Sequence, residues 1–348
     1  MPSLDSGRLV AALLVALFHN SFTIQTFTGA RPLHLILRGG HAGVEYFFVL
    51  SGFVIYLVHA RDLSQPHRLA NFFWKRALRI LPMLWLVLII WGVFRIAFGS
   101  MTTNNHTGVG TLILDMLLIP HRGPLVLGVT WTLQRELVFY LLFSLAIQDR
   151  RLGLVVMAFW QVAVLALPIA GIVPTDPILS AVLDLHNVGF ALGMGAAWLI
   201  MNRPAVRPRI LIACGSLAFA LLLLSEWVIA PNAEEDYLPL GPVFGPLAYT
   251  VSATVMVIGL ARRDRLSPPK RTPIADYGGG ASYVLYLVHG PVGSLAIRAL
   301  LRFALPGEVL LLALTAAQLL AALLIHIWIE RPILRFFARP RLPSPSRA

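Results

Sequence analysis

The sequence predicts an all-α fold, a polytopic membrane bundle of about ten transmembrane helices. Of its 348 residues, 57% are hydrophobic and only 13% are charged, which is more apolar than a soluble protein of this size requires. Several separate windows also approach or exceed the roughly 20 apolar residues that cross a hydrocarbon core. Gly, Pro and basic residues interrupt these windows, so we expect many crossings.

The apolar windows and their breakers define the individual spans. The predicted spans are residues 9–27, 43–60, 78–98, 131–148, 153–171, 179–201, 209–230, 243–261, 279–298 and 308–329. Within residues 99–130 the run "TLILDMLLIP" is too short to span, and it predicts a re-entrant or interfacial segment that roofs a cavity. Residues 1–335 are expected to form one membrane domain, and residues 336–348 a short, basic, disordered cytosolic tail.

Positive charge is distributed unevenly between the two sides of this predicted bundle. With the N-terminus in the cytosol, 21 of the 28 Lys and Arg residues fall in cytosolic segments. The positive-inside rule therefore places both termini in the cytosol. The formal net charge of +12 does not indicate nucleic-acid binding, because the basic residues lie between apolar windows rather than on one soluble face.

Three ionisable side chains lie inside predicted spans: His19, Glu136 and His289. Such groups cost several kcal/mol in lipid and usually face a bundle interior or a watery cavity, so each is a candidate for function. Any one of them could instead only bond a neighbouring helix. Because His19 follows Arg8 by eleven residues, it lies about 16 Å further along the helix, near mid-bilayer. We expect all three to converge on one cavity.

Arg76 and Arg79 are three residues apart in "FWKRALRILPMLWL", so they share a helix face at the cytosolic start of the third span. Ordinary membrane anchoring would also place basic residues there. With Arg8 at the inner end of the first span, however, they form a set that could bind a polyphosphate. Cys214 is the only cysteine, which excludes an internal disulfide and a CxxC metal site, and we expect no metal.

The second span, in "GVEYFFVLSGFVI", holds Ser51 and Gly52. Small residues permit close helix approach, and glycine also admits a ligand near the backbone, so helix packing and a substrate cavity are both open interpretations. No Ser–His–Asp arrangement has a recognisable spacing, which argues against a covalent seryl intermediate.

The sequence resembles the acyltransferase-3 family of bacterial integral-membrane O-acyltransferases over nearly the whole chain. Six motifs in the same order carry the resemblance: "LDSGRLVAALLVALFH", "YFFVLSGFVI", "KRALRILPMLW", "WTLQRELVFY", "SYVLYLVHGPV" and "IWIERPI". The first contains Arg8 and His19 at that family's Arg-x10-His spacing, and the fourth contains Glu136. Trp131 and Tyr286, which lie in the fourth and fifth motifs, are further candidates for the substrate cavity.

The resemblance implies an enzyme of the bacterial inner membrane. Its donor would be acetyl-CoA or another acyl-CoA, and its acceptor a hydroxyl of a carbohydrate such as an exopolysaccharide, an O-antigen or a lipid-linked saccharide. His19 would be the main catalytic residue, assisted by Glu136 and His289. Arg8, Arg76 and Arg79 would hold the phosphates of the donor at the cytosolic mouth.

Two other classes of protein also fit the intramembrane polar residues. A transporter or flippase of a lipid-linked sugar could use His and Glu as a proton relay, although no internal repeat is evident. A structural subunit surrounded by membrane lipid could use them only to join helices. Peptidoglycan and a macrolide antibiotic are also compatible acceptors. The identity of the acceptor, the acyl length and the oligomeric state are not readable from the sequence.

Overall fold

The chain folds as a bundle of long α-helices in a computed structural model that describes residues 1–98, 108–203, 207–229, 237, 239–267 and 277–337. The α-helices are α1 (Pro2–Thr28), α2 (His34–Leu37), α3 (Gly43–His59), α4 (Leu69–Phe98), α5 (Val109–Met116), α6 (Thr130–Gln148), α7 (Arg150–Ile169), α8 (Pro177–Val182), α9 (Val188–Asn202), α10 (Pro208–Ile229), α11 (Gly241–Leu266), α12 (Gly279–Leu300), α13 (Gly307–Ile325) and α14 (Arg331–Phe337). Within these ranges no β-strand is present, which confirms the all-α prediction.

Nine helical segments in the described part of the chain are long and apolar enough to cross a membrane. They are Pro2–Thr28, Arg38–His59, Pro66–Phe98, Arg150–Ile169, Pro177–Asn202, Pro208–Val228, Gly241–Leu266, Gly279–Phe303 and Gly307–Phe337. The remaining predicted span is α6, a 19-residue helix that is not among the nine. Its first turns carry Gln134, Arg135 and Glu136, which lower its mean hydropathy. The protein is a multi-pass membrane protein.

Two predicted spans differ in detail from the helices. α4 begins at Leu69, nine residues before the predicted start, because the basic segment before the apolar window continues the helix. The span predicted at 179–201 is two helices, α8 and α9, separated by a turn in which the Asp184 carboxylate accepts a hydrogen bond from His186 N at 2.9 Å. At the C-terminus α14 extends to Phe337, and residues 338–348 of the predicted tail lie outside the described residues.

Helix α1 lies at the centre of the bundle and packs against α3, α11, α12 and α13. Its buried face is rich in small side chains, among them Ala11, Ala12 and Ala16. A Cβ on Gly43, at the start of α3, would lie only 2.5 Å from the Ala11 carbonyl oxygen, so glycine is required for this approach. The close packing fixes the direction in which the polar side chains of α1 point.

The segment between α4 and α6 folds over one end of the bundle. Asp115, at the end of α5, is fully buried, and its carboxylate accepts a hydrogen bond from Val126 N at 2.6 Å and lies 3.0 Å from His121 Nε2. Arg95 on α4 donates to the Val126 carbonyl at 3.1 Å. Burial raises the pKa of Asp115, while its hydrogen bonds act in the opposite direction. These hydrogen bonds hold residues 108–129 together over this end of the bundle, and we call this segment the roof. Residues 99–107 lie outside the described residues.

Replacing Asp115 with Ala is expected to loosen this roof. The substitution leaves the buried Val126 N–H without an acceptor, which costs about 1–3 kcal/mol. Limited proteolysis of the protein in nanodiscs should then cut within residues 117–129 faster than in the wild type. Asp115→Asn is the matched control, because its amide oxygen still accepts from Val126 N. Equal cleavage rates for the two variants would contradict this role of the carboxylate.

Candidate active site

Two adjoining cavities occupy the interior of the bundle. The first has a volume of about 350 Å³ and is lined by α1, α3, α4, α6 and α12. Arg8, Arg76, Arg79, Ser51 and Glu136 all contribute to its wall, so the structure brings together the predicted anion-binding residues and one predicted catalytic residue.

The three arginines of the first cavity have few polar partners. None of them forms an ion pair with a carboxylate among the residues that the structure describes. The Nε atom of Arg76 is buried and has no hydrogen-bond partner in that same part of the chain. Arg8 lies close enough to Arg79 for the two positive charges to repel each other. A bound anion would relieve this repulsion, because guanidinium groups bind phosphate through paired hydrogen bonds.

Glu136 is held on the wall of the first cavity by two hydroxyl groups. Ser51 Oγ on α3 donates to Glu136 Oε1 at 2.7 Å, and the Tyr140 hydroxyl, one turn further along α6, donates to the same oxygen. The two bonds fix the carboxylate between α3 and α6 and leave Oε2 for another donor. Glu136 does not touch either predicted catalytic histidine through a hydrogen bond in the described structure.

The second cavity has a volume of about 740 Å³ and holds both predicted catalytic histidines, His19 and His289. Their rings are stacked with centroids 5.2 Å apart and an angle of 27° between the planes. His19 is exposed to the cavity, whereas His289 is buried. His289 Nδ1 lies 2.8 Å from the Tyr286 carbonyl oxygen, which can only accept, so Nδ1 carries a proton. Neutral His289 therefore offers Nε2 as an acceptor, and it could donate to an oxyanion only as the imidazolium.

The single cavity expected for His19, Glu136 and His289 is not what the structure contains. Glu136 lines the first cavity and the two histidines line the second. Val44 and Tyr286 line both, and the Tyr286 hydroxyl lies 3.0 Å from Thr132 Oγ1. Sequence depth alone could not reveal this division, because it depends on which way two packed side chains point across the bundle.

The four substrate-cavity candidates do not share one cavity. Ser51 lines the first cavity, Trp131 the second, and Tyr286 both. Gly52 lines neither cavity, because it faces α9, and a Cβ there would lie 2.1 Å from the Phe190 carbonyl oxygen. For Gly52 the structure therefore supports the packing interpretation.

A polar wall that the sequence analysis missed closes the second cavity opposite α12. His186 Nδ1 lies 2.7 Å from Asp184 Oδ1, and its Nε2 lies 3.1 Å from the Tyr237 hydroxyl. That hydroxyl donates to Glu45 at 2.7 Å, and Arg135 forms an ion pair with Asp184 at 2.7 Å. Except for Asp184 and His186, which are two residues apart, these partners are too far apart in sequence for spacing to reveal them.

A contact between a histidine and a carboxylate belongs to the same wall. His41 Nε2 lies 3.2 Å from Glu226, and Tyr249 donates to the other oxygen of that carboxylate at 2.8 Å. Glu226 is 1% exposed, which is low enough to require such partners. The only sequence signal was the presence of these ionisable residues in or beside apolar windows.

A pair of buried amides connects α1, which carries His19, to α13 and, through Gln318, to α12, which carries His289. The side chains of Asn20 and Gln318 hydrogen-bond to each other in both directions at 2.7 Å. Gln318 Nε2 also donates to the His289 carbonyl at 2.7 Å, and Asn20 donates to Thr315 at 3.0 Å. Because Asn20 follows His19 directly, the amide pair lies next to both histidines and fixes α1 and α12 relative to each other.

Comparison with known proteins identifies the family. The model of the acyltransferase-3 family, described as an acyltransferase domain, matches residues 1–331. The chain belongs to the acyltransferase-3 family. Because members of this family are acyltransferases, the protein is an enzyme rather than a transporter or a structural subunit. It is a membrane O-acyltransferase.

This acyltransferase is similar in sequence to several other proteins. It is 28% identical to the exopolysaccharide production protein ExoZ of Rhizobium meliloti (strain 1021), over 85% of this chain and 90% of that protein. It is 27% identical to the acyltransferase MdmB of Streptomyces mycarofaciens, over 99% and 96% of the two chains. A shorter match, 26% identical over 31% of this chain and 16% of the relative, joins it to the peptidoglycan O-acetyltransferase OatA of Listeria monocytogenes. No solved structure matches.

Proposed function

We propose that this acyltransferase moves an acyl group, in the simplest case acetyl, from acyl-CoA to a hydroxyl of a carbohydrate at a bacterial inner membrane. The observation that carries the proposal is the first cavity, in which three arginines that form no ion pair with a described carboxylate adjoin the histidine pair of the second cavity. The printed names of the relatives, which mention exopolysaccharide and peptidoglycan, support a saccharide such as an exopolysaccharide, an O-antigen or a lipid-linked sugar as acceptor.

The two cavities suggest different substrates. The first contains the concentrated positive charge that the diphosphate and 3′-phosphate of CoA require, so we assign it to the donor and place its mouth in the cytosol. Because Arg8 and His19 are separated by eleven residues of one helix, the pantetheine arm must extend about 16 Å to carry the thioester from the arginines to the histidines. It would pass Val44 and Tyr286 on the way.

His19 is the base in this proposal. It takes the proton of the acceptor hydroxyl while that oxygen attacks the thioester carbonyl carbon, which forms a tetrahedral oxyanion. Collapse of this intermediate breaks the carbon–sulfur bond and forms the ester. The departing thiolate of CoA then takes the proton from the His19 imidazolium, so that no net proton is released. Stacking of His289 on His19 positions the base, and the buried amides hold both helices.

The direct test uses the purified protein in nanodiscs with radiolabelled acetyl-CoA and a panel of oligosaccharides that contain glucose, galactose and N-acetylglucosamine. Label that enters a saccharide as an alkali-labile ester supports the proposal. Failure to bind acetyl-CoA in an equilibrium assay, together with absence of transfer, would overturn it. Labelling of single cysteines from each side of the membrane tests the cytosolic donor mouth. A cysteine at residue 68, on the predicted cytosolic side, and one at residue 235, on the predicted outer side, should be labelled from opposite sides. Residue 235 lies outside the described residues.

The donor assignment predicts the effect of replacing both Arg76 and Arg79 with Gln. Each charged hydrogen bond to a phosphate contributes about 1.5–3 kcal/mol, so KM for acetyl-CoA should rise at least about tenfold, while KM for the acceptor changes little. Initial rates at varied donor and acceptor concentrations measure both constants. Lys75→Gln is the matched control, because Lys75 precedes Arg76 but is exposed and does not line the cavity. An equal rise in both constants would mean that the arginines only shape the bundle.

A further inference from the structure

Gly290 occupies an interior position of α12, between His289 and Pro291. Glycine in a helix interior destabilises the helix relative to alanine. Two structural requirements commonly compensate for this cost: a backbone conformation that other residues rarely adopt, or a neighbour too close for a Cβ atom.

Neither requirement applies at Gly290. The residue is not among the glycines with positive φ, so its φ is not one that L-residues avoid, and Pro291 is the only local restriction on a side chain there. Apart from its chain neighbours His289 and Pro291, a Cβ at Gly290 would meet no atom within 4 Å. Gly293, one turn further along α12, is the contrasting case, because its Cβ would lie 2.7 Å from Gln318 Nε2. A side chain at position 290 would therefore extend into empty space.

That space belongs to the second cavity. Tyr286, Gly290 and Ser294 are four residues apart on one face of α12, and all three line the cavity. His289, which is stacked on His19, adjoins this face. The missing side chain thus leaves room directly beside the histidine pair, where the two substrates react.

We propose that Gly290 is a specificity-determining residue, whose missing side chain leaves a subsite for one pyranose ring of the saccharide acceptor beside His19 and His289. The inference rests on the proposed function. The wall of the same cavity includes His41, His186 and Tyr237, whose polar atoms also pair with Glu226, Asp184 and Glu45, and such a polar lining suits a ligand rich in hydroxyl groups rather than an acyl chain. The donor approaches from the first cavity, so this space is left for the acceptor.

The first test measures whether the space is open to water and large enough for a sugar. Gly290→Cys is made in a Cys214→Ser background and treated with a methanethiosulfonate that carries a glucosyl group. We expect rapid modification at position 290. Gly195→Cys is the matched control: Gly195 is also an exposed helical glycine with no atom within 4 Å of its Cβ, but it lines neither cavity. No reaction at 290, or equal rates at 290 and 195, would overturn the proposal.

The second test measures specificity. Gly290→Phe fills the space, so KM for oligosaccharide acceptors should rise at least about tenfold, while KM for acetyl-CoA changes less than about twofold. Gly290→Ala should give a smaller change in the same direction. Gly195→Phe should behave as the wild type. Selective loss of longer acyl donors with an unchanged acceptor KM would assign the space to the acyl chain and overturn the proposal.

The failure of this proposal is distinguishable from the failure of the proposed function. A wild-type protein that neither binds nor consumes acetyl-CoA would refute the function itself. A wild-type protein that transfers acetyl to saccharides, with a Gly290→Phe variant that does so equally well, would refute only the subsite. Cysteine modification does not depend on enzyme turnover, so it tests the subsite even when the acceptor panel lacks the natural saccharide.

Discussion

His19→Ala is expected to reduce acyl transfer at least about a hundredfold, since a general base typically contributes a factor of 10² to 10⁴. The expected loss of stability is small. The His19 ring projects into the second cavity and contacts Phe18 and His289, and no side-chain hydrogen bond is lost with it in the described structure. Initial rates measure the first effect, and thermal unfolding followed by fluorescence-detected size exclusion measures the second.

The control for this prediction is His67→Ala. His67 is exposed in the short turn before α4 and lines neither cavity, so its replacement should leave both rate and stability unchanged. Retention of more than about a tenth of the wild-type rate by His19→Ala would exclude His19 as the essential base. His289, whose neutral form offers Nε2 as an acceptor, would then be the next candidate.

Gln318→Leu is expected to reduce kcat about tenfold or more and to lower stability. The substitution leaves buried groups of Asn20 and the His289 carbonyl without partners, at about 1–3 kcal/mol for each. Because Gln318 on α13 bonds both Asn20 on α1 and the His289 carbonyl on α12, its loss shifts the two histidines relative to each other, and small displacements of reacting groups reduce rate strongly. KM for either substrate should change little, since Gln318 lines neither cavity.

The double variant Asn20→Leu/Gln318→Leu separates positioning from stability. Removal of both amides leaves fewer unpaired groups, so the double variant should regain part of the stability that Gln318→Leu loses. It should not regain kcat, because the hydrogen bond to the His289 carbonyl stays absent. Gln161→Leu, on α7 and away from both cavities, is the matched control. Recovery of kcat together with stability would reduce the amide pair to a structural role.

Hydropathy was sufficient to predict most helices, because each membrane crossing depends on a local run of apolar residues. It failed where structure depends on something other than apolar length. The break between α8 and α9 arises from the Asp184 cap within an apolar window, and the early start of α4 lies in a basic segment. A hydropathy pattern records only apolar length, so it reveals neither a side-chain cap nor the extension of a helix through polar residues.

The arginine set of the first cavity was predictable, because Arg76 and Arg79 share a helix face by spacing alone and Arg8 begins a span. The polar wall of the second cavity was not. Glu45 and Tyr237 are 192 residues apart, and His41 and Glu226 are 185 apart. Such pairs follow from how helices pack in three dimensions, which no single sequence reveals. The same reason explains why Glu136 was wrongly expected to share a cavity with the histidines.

The arrangement of two cavities that meet at Val44 and Tyr286 also has an electrical consequence. The first cavity surrounds the N-terminal part of α1 and the second its C-terminal part, so two spaces approach each other from opposite ends of a membrane-spanning helix. Water in both would concentrate the transmembrane voltage across the thin layer between them, where moving one charge through 100 mV involves about 2.3 kcal/mol. In the proposed mechanism, the negative charge of the tetrahedral intermediate would arise beside this layer, so we expect the rate of acyl transfer to depend on the voltage across the membrane.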